Sequence, residues 1–199
     1  MAARLAVFID GGYMDKLAEL EFGIRVDYAK FSEEIKRQIE SRTPDSVDLL
    51  RTYYYHCLPY QGDPPTDEER ERFARKRKFF DALGYLRRFQ IREGRLVKLG
   101  TTESGQPIFQ QKKVDLLLGL DFALLAGKGQ VSHVAIVSGD SDLLPAVEVA
   151  KTEGVSVWLI HGPRRSQVDG RSTYAQELWH RADERVEIDT AFMGRISRN

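Results

Sequence analysis

The sequence has one cysteine, Cys57, among 199 residues. A single thiol excludes an intramolecular disulfide framework and a cysteine-based zinc site, and it is typical of a reducing compartment. The sequence also has no apolar run of membrane-spanning length, and its first apolar run, Leu5 to Ile9, is too short for a secretory signal peptide. We therefore expect a cytoplasmic protein that does not associate with membranes.

Net charge is also absent, because 30 Lys and Arg residues balance 30 Asp and Glu residues. Any attraction to a polyanion must come from the distribution of charge. The sequence has no Gly-x-x-x-x-Gly-Lys loop for nucleotide hydrolysis, and its four histidines are too scattered for a zinc site or a Ser-His pair. Hydrophobic residues (42%) and charged residues (30%) are present in ordinary globular amounts, and the length favours one domain.

Short apolar runs that stop at glycine-containing turns dominate the pattern. Three such runs, each predicting a buried strand, are residues 5–9, 134–137 and 155–160. The helical pattern of Leu143 to Thr152 lies between the last two, and a strand-helix-strand unit is typical of a parallel sheet. The segment Thr52 to His56 predicts another central strand. The sequence therefore predicts an α/β fold around a mostly parallel sheet.

The remaining elements are predicted from periodicity and turn residues. Helices are expected at about Tyr28–Ile39, Thr66–Leu86, Asp115–Leu125 and Tyr174–Ala182. A hairpin is expected within Phe89–Leu99, turning at Glu93-Gly94, before a turn-rich loop from Thr101 to Gln106. We interpret residues 60–112 as an inserted helix plus hairpin at one edge of a single domain that spans residues 1–189. Residues 190–199 are expected to be a frayed C-terminal tail.

The predicted arrangement of strands and turns makes four aspartates candidates for a functional site. Asp10 and Asp140 each come after a buried strand, and the carboxyl ends of parallel strands meet at one edge of the sheet. Asp142 lies two residues beyond Asp140, and Asp115 opens a helix. Helix capping and turn stabilisation are the ordinary roles of aspartate at such positions. The combination of two acidic strand ends nevertheless favours a functional cluster.

Carboxylates held within a few ångströms of one another repel, so such a cluster needs protons or cations. Oxygen ligands without clustered cysteine or histidine suit Mg²⁺ or Mn²⁺ better than zinc. In phosphodiester hydrolysis these ions position the phosphate, promote a hydroxide nucleophile and stabilise the leaving oxygen. The sequence therefore predicts a metal site at Asp10, Asp115, Asp140 and Asp142.

At these residues the sequence resembles the NYN domain family, in its LabA-like branch of the PIN-like nucleases. The resemblance runs from Phe8 to about Asp189, and its motifs are Phe8-Ile-Asp-Gly-Gly12, Lys113-Val-Asp-Leu-Leu-Leu118 with Asp121, and the more specific Val137-Ser-Gly-Asp-Ser-Asp-Leu-Leu-Pro145. It implies a Rossmann-like three-layer sandwich and metal-dependent cleavage of single-stranded or structured RNA, with DNA as a further candidate substrate. It also implies that the four aspartates are the acidic set.

The first motif departs from the family pattern, because many relatives have asparagine shortly after the glycine and this chain has Tyr13. A tyrosine cannot replace an amide in orienting a ligand or phosphate. A second interpretation therefore stays open, in which the protein is a catalytically weak or inactive RNA-binding or scaffolding domain on the same fold.

Further residues are expected to support the site or to bind phosphate: Ser138, Ser141, Lys113 and Asp121. Asp121 is carried over weakly, because it lies six residues after Asp115 and faces a different side of the helix. The ordinary alternatives are serines that stabilise a tight turn and a solvated lysine.

Positive charge is concentrated between Arg70 and Lys113, where 13 Lys and Arg residues stand against 4 Asp and Glu residues. Such a cluster supplies salt-sensitive affinity for phosphates, although helices commonly expose cationic faces to solvent. The residues expected to contact nucleic acid are Arg75, Lys76, Arg87 and Arg88, and, in the loop after Ile160, Arg164, Arg165 and Arg171. Aromatic residues that could stack on unpaired bases are Tyr53, Tyr54, Tyr55, Tyr60 and Phe89, although strand aromatics are more often core. A sheet edge or an exposed helix could support a homodimer.

Two other enzyme classes fit less well. A haloacid-dehalogenase-like phosphatase normally needs a second Asp two residues after the first, where this chain has Gly12. A three-carboxylate exonuclease favours an Asp-x-Glu pair on the first strand, which is also missing.

Overall fold

The computed structural model describes residues 2–102 and 104–198, in which it places seven strands and seven α-helices. The strands are β1 (Ala3–Asp10), β2 (Val47–Cys57), β3 (Phe89–Thr101), β4 (Pro107–Lys112), β5 (His133–Val137), β6 (Ser156–His161) and β7 (Glu184–Glu187). The helices are α1 (Gly11–Lys16), α2 (Tyr28–Glu40), α3 (Asp67–Gly84), α4 (Val114–Gly127), α5 (Leu144–Thr152), α6 (Gln176–Arg181) and α7 (Thr190–Ile196). A π-helical turn, Leu17–Glu21, extends α1, and a 3₁₀ turn, Ser141–Leu143, precedes α5.

The strands form one sheet in the order β4-β3-β2-β1-β5-β6-β7. Every neighbouring pair is parallel except β3 and β4, which are antiparallel. The prediction of an α/β fold with a mostly parallel sheet is therefore confirmed. Because the six parallel strands share one direction, their carboxyl ends lie along the same edge of the sheet.

Strand β1 is apolar and buried from Leu5 to Ile9 because both faces of the sheet are covered there. Leu5, Val7 and Ile9 belong to one buried cluster, which contains residues of α2, α3 and α7. Ala6 and Phe8 belong to a second buried cluster, which contains residues of α4, α5 and α6. Each fully buried side chain of this size contributes about 1.5–3 kcal/mol of hydrophobic free energy relative to an exposed one.

Helix α3 begins at Asp67 because the residue before it closes a capping box. The Thr66 hydroxyl accepts the N–H of Glu69 (3.2 Å), and the Glu69 carboxylate accepts the N–H of Thr66 (2.9 Å). This reciprocal pair satisfies two backbone donors that the first turn of a helix leaves without partners. The predicted helix from Thr66 is therefore confirmed, and its start is fixed by polar side chains.

The predicted hairpin at Glu93-Gly94 is wrong. Strand β3 passes through both residues without a turn, since residues 89–94 pair in parallel with β2. The chain reverses after Thr101 instead, and β4 then pairs antiparallel with the end of β3. Gly94 serves close packing rather than a turn, because a Cβ there would lie 2.8 Å from the Lys112 carbonyl oxygen and 3.0 Å from the Cys57 sulfur. The division of the chain into a core and an inserted segment 60–112 stays a prediction, although α3, β3 and β4 do lie at one edge of the sheet.

The expectation of a frayed tail from residue 190 is also wrong for Thr190–Ile196, which form α7. The Asp189 carboxylate caps this helix by accepting the N–H of Phe192 (2.7 Å). Phe192, Met193 and Ile196 are buried in the same cluster as residues of α2. Their spacing places three apolar side chains on one helical face, which secures the segment. Asn199 lies outside the described residues.

None of the helices in the described residues is long and apolar enough to cross a lipid bilayer.

Candidate active site

A cavity of about 610 Å³ opens at the carboxyl edge of the sheet, and three of the four predicted aspartates line it. Asp10 is the last residue of β1, Asp140 follows the neighbouring strand β5, and Asp115 lies in the first turn of α4. These side chains come from distant parts of the sequence, and the strand order brings them together. We call this space the acidic cavity.

Two of these carboxylates cap the chain that follows them. One oxygen of Asp10, Oδ1, accepts the N–H groups of Gly12 (2.9 Å) and Tyr13 (3.1 Å). In the same way, Oδ1 of Asp140 accepts the N–H of Asp142 (2.9 Å). Within the described part of the chain, the second oxygen of each carboxylate has no hydrogen-bond donor. Capping therefore orients the two carboxylates and leaves one oxygen of each for a ligand.

The acidic cavity raises the pKa values of two of its carboxyl groups. Burial raises the pKa of Asp10, the charge of Asp115 raises it further, and the backbone N–H groups of Tyr13 and Gly12 partly offset this. The pKa of Asp115, which is exposed overall, is also raised, first by partial desolvation at the cavity wall and then by the charges of Asp140 and Asp142. Such mutual repulsion is the electrostatic condition that a bound cation relieves.

The donor chemistry of the acidic cavity fits a hard divalent cation. Carboxylate oxygens suit Mg²⁺ or Mn²⁺, and the single imidazole of His56 at the wall does not make a zinc ligand set. As placed in residues 2–102 and 104–198, no three His, Cys, Asp or Glu side chains are grouped closely enough to hold a metal ion. This arrangement is compatible with Mg²⁺, which in proteins usually takes one or two carboxylates and completes its shell with water and substrate phosphate.

The fourth predicted aspartate, Asp142, has a different environment. Its side chain is exposed and does not line the acidic cavity, although its charge acts on Asp115. Of the two serines, Ser141 lines the cavity, and Ser138 is buried with its Oγ accepting the N–H of Asp140 (3.2 Å). Asp142 thus contributes charge, Ser138 stabilises the turn, and Ser141 is part of the cavity wall.

Asp121 and Lys113 lie outside the acidic cavity. The carboxylate of Asp121 accepts hydrogen bonds from the Tyr55 hydroxyl (2.9 Å) and from Nε of Arg92 (2.8 Å), so it is engaged in a structural pair. Lys113 is exposed, and its backbone has a positive φ of 73° at the start of α4. The structure therefore does not place either side chain against the carboxylates that they were predicted to support.

A network of three residues beside the acidic cavity was missed by the sequence reasoning. His56 Nδ1 accepts the N–H of Cys57 (2.7 Å), which leaves the proton on Nε2, 2.9 Å from Oδ2 of Asp15. The same Asp15 oxygen accepts a hydrogen bond from Nζ of Lys76 (2.7 Å). Burial raises the pKa of Asp15, but His56 and Lys76 outweigh that effect, so its pKa is lowered.

The strand-end rule that identified Asp10 could also have identified His56. His56 is the penultimate residue of β2, and β2 is a direct neighbour of β1. Asp15 carries a weaker signal, since it lies on the helix that starts at Gly11. Nothing in the sequence pairs Lys76, on α3, with that helix.

Gly11 is required because the chain passes directly over this network. A Cβ at residue 11 would lie 2.6 Å from the ring carbon Cζ of Tyr54 and 2.7 Å from Cδ2 of His56. Real Cβ atoms do not approach other heavy atoms so closely, and packed interiors have little room to adjust. The glycine in the first motif therefore permits close packing of α1 on β2.

Tyr13, the departure from the family pattern, ties two strand ends together. Its hydroxyl accepts the N–H of Gly162, just after β6, at 2.8 Å. Burial raises the pKa of Tyr13 to about 12, so its hydroxyl is neutral at physiological pH. Tyr13 also lines the acidic cavity. It therefore acts as a structural brace at the position where many relatives have an amide.

The predicted nucleic-acid-binding arginines fall into separate places. The loop after β6 carries the exposed residues Arg164, Arg165 and Arg171, and it lies on the carboxyl edge of the sheet as expected. That loop is anchored where the N–H of Gln167 donates to the Glu21 carboxylate (2.8 Å). Arg75 and Lys76 line a neighbouring cavity.

Arg87 and Arg88 lie at the wrong end of the sheet for the predicted contact. The Arg88 guanidinium donates to the carboxylate of Asp48 (2.6 Å), which is the second residue of β2. That position is the amino end of the parallel strands, opposite to the acidic cavity. Hydrophobic periodicity could not show this, because it does not say at which end of the sheet a turn lies.

Most of the aromatic residues proposed for base stacking belong to the core. Buried side chains are those of Tyr53, Tyr54, Tyr55 and Phe89. Tyr60 is partly exposed and packs against Phe109, with ring centroids 5.3 Å apart. Only this last tyrosine of the predicted set keeps an accessible ring.

Comparison with known proteins agrees with the motifs. The chain is 43% identical over 60 residues to an uncharacterized protein, y4oD, of Sinorhizobium fredii, which covers 29% of this chain and 28% of that protein. A family model for the NYN domain matches residues 4–188, nearly the whole chain. NYN domains are generally nucleases of the PIN-like superfamily. With its acidic cavity at the carboxyl edge of a mostly parallel sheet, this protein belongs to the NYN domain family.

Proposed function

We propose that this protein is a metal-dependent ribonuclease that hydrolyses RNA phosphodiester bonds in the acidic cavity. The observation that carries the proposal is the convergence of Asp10, Asp115 and Asp140 at one cavity. Two of them have raised pKa values, and two have an oxygen that accepts no hydrogen bond from the described residues. Membership in the NYN family supports nuclease chemistry in general. The metal, the RNA substrate and the roles of individual residues are parts of the proposal.

One or two of the carboxylates of Asp10, Asp115 and Asp140 would bind Mg²⁺ or Mn²⁺ directly, and water and substrate phosphate would complete the shell. One or two such ions, when bound, would position the phosphate, promote hydroxide formation and stabilise the leaving oxygen. Asp142 would add negative charge from outside the cavity and attract the cation. The caps at Gly12 and Tyr13 hold the Asp10 carboxylate in place before substrate arrives, which lowers the reorganisation needed during reaction.

Other side chains at the cavity would act on the RNA. Lys16 lines the acidic cavity with an exposed side chain and would neutralise part of the phosphate charge. Ser141, also in the lining, would donate a hydrogen bond to a phosphate oxygen. His56 is oriented by Cys57 and Asp15, so its proton faces the Asp15 carboxylate.

A second candidate function is RNA binding with weak or absent catalysis. Two points favour it: the resemblance leads us to expect an asparagine where this chain has Tyr13, and the described carboxylates are not grouped as a complete three-ligand set. Under this alternative, the protein binds RNA with or without divalent metal and does not cut it at a measurable rate.

The test incubates purified protein with labelled single-stranded RNA, structured RNA and DNA, in Mn²⁺, Mg²⁺ or chelator. We expect RNA cleavage with metal and none with chelator, and loss of cleavage in Asp10→Asn and Asp140→Asn. Asparagine keeps Oδ1 as an acceptor for the caps, so these variants retain the local fold. The matched control is Asp48→Asn, at the opposite end of the sheet, which should cleave at the native rate.

Two outcomes would decide against the proposal. Undiminished cleavage by Asp10→Asn and Asp140→Asn would reject the site. RNA binding by the native protein without cleavage under any metal condition would favour the second candidate.

Finer assignments belong to the same proposal. We propose the LabA-like branch and the Rossmann-like three-layer arrangement, because the motifs resemble that branch and helices cover both faces of the sheet. Cytoplasmic location and a homodimer stay predictions.

A further inference from the structure

Two further cavities lie next to the acidic cavity in a row. A cavity of about 320 Å³ shares His56 and Gln111 with the acidic cavity, and its walls include Tyr60, Phe109 and Leu96. We call it the aromatic cavity. A third cavity of about 570 Å³ shares Pro59, Arg72 and Lys76 with the aromatic cavity. We call it the basic cavity, and we call the three cavities, which adjoin one another through these shared residues, the cleft.

The basic cavity carries an excess of positive charge in a chain that is neutral overall. Its cationic residues are Arg25, Arg72, Arg75, Lys76 and Arg198, and its acidic residues are Asp15 and Glu19. The ion pairs of two of the arginines are loose, with Arg72 lying 3.8 Å from Glu68 and Arg75 lying 3.5 Å from Glu71. Exposed pairs of this kind contribute little stability, so a phosphate can displace the glutamates.

The basic cavity also has an apolar floor, which a phosphate alone would not need. Its floor residues are Ala18, Ile24, Val26, Tyr28 and Phe79. Cations at a rim and apolar groups beneath match a nucleotide, which has an anionic phosphate and a flat base.

The aromatic cavity lies between the two charged cavities. Phe109 is 39% exposed although it is a large apolar side chain, and its ring packs against that of Tyr60. Phe109 lies on β4, the exposed edge strand of the sheet, and Tyr60 lies in the segment after β2. An exposed aromatic pair next to a cationic surface is the usual platform on which unpaired bases stack.

We propose that this cleft holds an unpaired stretch of nucleic acid, which runs from the acidic cavity over Tyr60 and Phe109 into the basic cavity. The inference rests on the proposed function, and it deepens it by assigning to residues of this chain a binding path for several nucleotides beyond the cleaved bond. In a duplex the base faces are already stacked, so the ring pair contributes only to single-strand binding.

The test measures binding separately from cleavage. Fluorescence anisotropy in chelator follows a labelled ten-nucleotide single-stranded RNA and a blunt duplex of the same sequence. We expect the single strand to bind about tenfold or more tightly than the duplex. Phe109→Ala and Tyr60→Ala should each weaken single-strand binding about tenfold and leave duplex binding unchanged, since a stacked base contributes on this scale.

A matched pair on α3 tests the basic cavity. Arg75→Ala should weaken single-strand binding. It should also reduce the slope of the logarithm of the binding constant against the logarithm of salt concentration by about the amount that one phosphate contact contributes. Arg77→Ala is the control, because Arg77 lies outside the cleft and pairs with Glu93 at 2.6 Å. It should bind RNA as the native protein does.

Several results would overturn this inference. Among them are equal binding of single strand and duplex, native binding by folded Phe109→Ala and Tyr60→Ala, or equal effects of Arg75→Ala and Arg77→Ala. Displacement of the RNA by a polyglutamate peptide, with the same affinity in native protein and Phe109→Ala, would assign the cleft to an acidic protein partner instead.

Failure of the proposed function gives a different result. If the native protein cleaves no RNA with any metal but binds single strands through Phe109 and Arg75, the cleft inference stands without catalysis. The opposite case is that the native protein and Phe109→Ala cleave a trinucleotide at equal rates, and that they also bind the single strand and the duplex with equal affinity. The proposed ribonuclease activity then stands and the cleft inference fails.

Discussion

Helix α4 carries two aspartates six positions apart in opposite electrostatic environments. Asp115 lines the acidic cavity, and its pKa is raised by partial desolvation and by the charges of Asp140 and Asp142. Asp121 accepts hydrogen bonds from Tyr55 and Arg92. Within the described residues, Asp115 has no ion-pair partner. One carboxylate is compensated by the protein itself, and the other is left for a ligand to compensate.

The same contrast holds around the acidic cavity. Asp15, at its wall, has partners in His56 and Lys76 that lower its pKa, whereas the pKa of Asp10 is raised. Residue type does not separate these groups, but their partners do. Uncompensated negative charge is unfavourable for folding and favourable for binding cations. The contrast therefore agrees with the proposal that the cavity binds a cation at some cost in stability.

The largest expected effect concerns catalysis and depends on the proposed ribonuclease. Asp115→Asn removes a carboxylate from the acidic cavity, so we expect kcat/KM on RNA with Mn²⁺ to fall about 100-fold or more. Asp121→Asn should keep activity within about tenfold of native, since its role is structural. Steady-state cleavage of a labelled RNA measures both, and equal losses in the two variants would remove the distinction between these aspartates.

The next effect is on stability and has opposite signs in the two variants. Removing one charge reduces the repulsion between the carboxylates in the folded state, so Asp115→Asn should raise the thermal midpoint of unfolding in chelator. Asp121→Asn leaves Arg92 with a weaker partner, and we expect it to lower the free energy of unfolding by about 2 kcal/mol. Urea denaturation and thermal scans measure these changes. Destabilisation by Asp115→Asn in chelator would mean that its carboxylate is already compensated in the protein.

The sequence pattern predicted the features that depend on local hydrophobic order. The positions of Asp10, at the end of β1, and of Asp140, in the turn after β5, were predicted correctly, because a buried strand that stops at a turn leaves a clear pattern. The neighbouring strand end at His56 follows from the same rule once β2 is known to pair with β1. The strand order therefore supplied the part of the site that the motifs did not show.

Features that depend on contacts between distant segments could not be predicted in this way. Glycine is common in turns, but Gly94 lies within a strand. It lacks a side chain because a Cβ at this position would come too close to Lys112 and Cys57. Lys76 looks like one cation among many on α3, and only the packing of that helix places it against Asp15. Whether an aspartate is compensated is likewise decided by partners far away in sequence.

Glu34 provides a compensated carboxylate remote from the acidic cavity. Burial raises its pKa, but hydrogen bonds from Arg37, Gln38 and Arg195 outweigh this and lower the pKa below the ordinary 4.5. A lowered folded-state pKa contributes stability above the ordinary value, and this contribution is lost as pH falls through the folded-state pKa. We expect Glu34→Gln to cost about 1–2 kcal/mol at pH 7.

This cost should shrink steadily below pH 4.5, where the native glutamate also becomes protonated. Urea denaturation of both proteins from pH 7 to pH 3 measures the difference. A difference that stays constant over this range would show that packing at α2 and α7, rather than the ionised carboxylate, causes the loss.

The smallest effect is expected where a compensated carboxylate is exposed to solvent. Asp48 pairs with Arg88 at 2.6 Å at the amino end of the sheet, and its side chain is 52% exposed. Water and salt screen such a pair strongly, so Asp48→Asn should change the thermal midpoint by less than about 2 °C, and less still in 1 M salt. Thermal scans at low and high salt measure this. The contrary result is a shift in the thermal midpoint as large as that of Asp121→Asn. It would mean that the ion-pair partner alone, without burial, determines how strongly a compensated carboxylate stabilises this fold. The difference between Asp115 and Asp121 would then need no contribution from the low-dielectric interior.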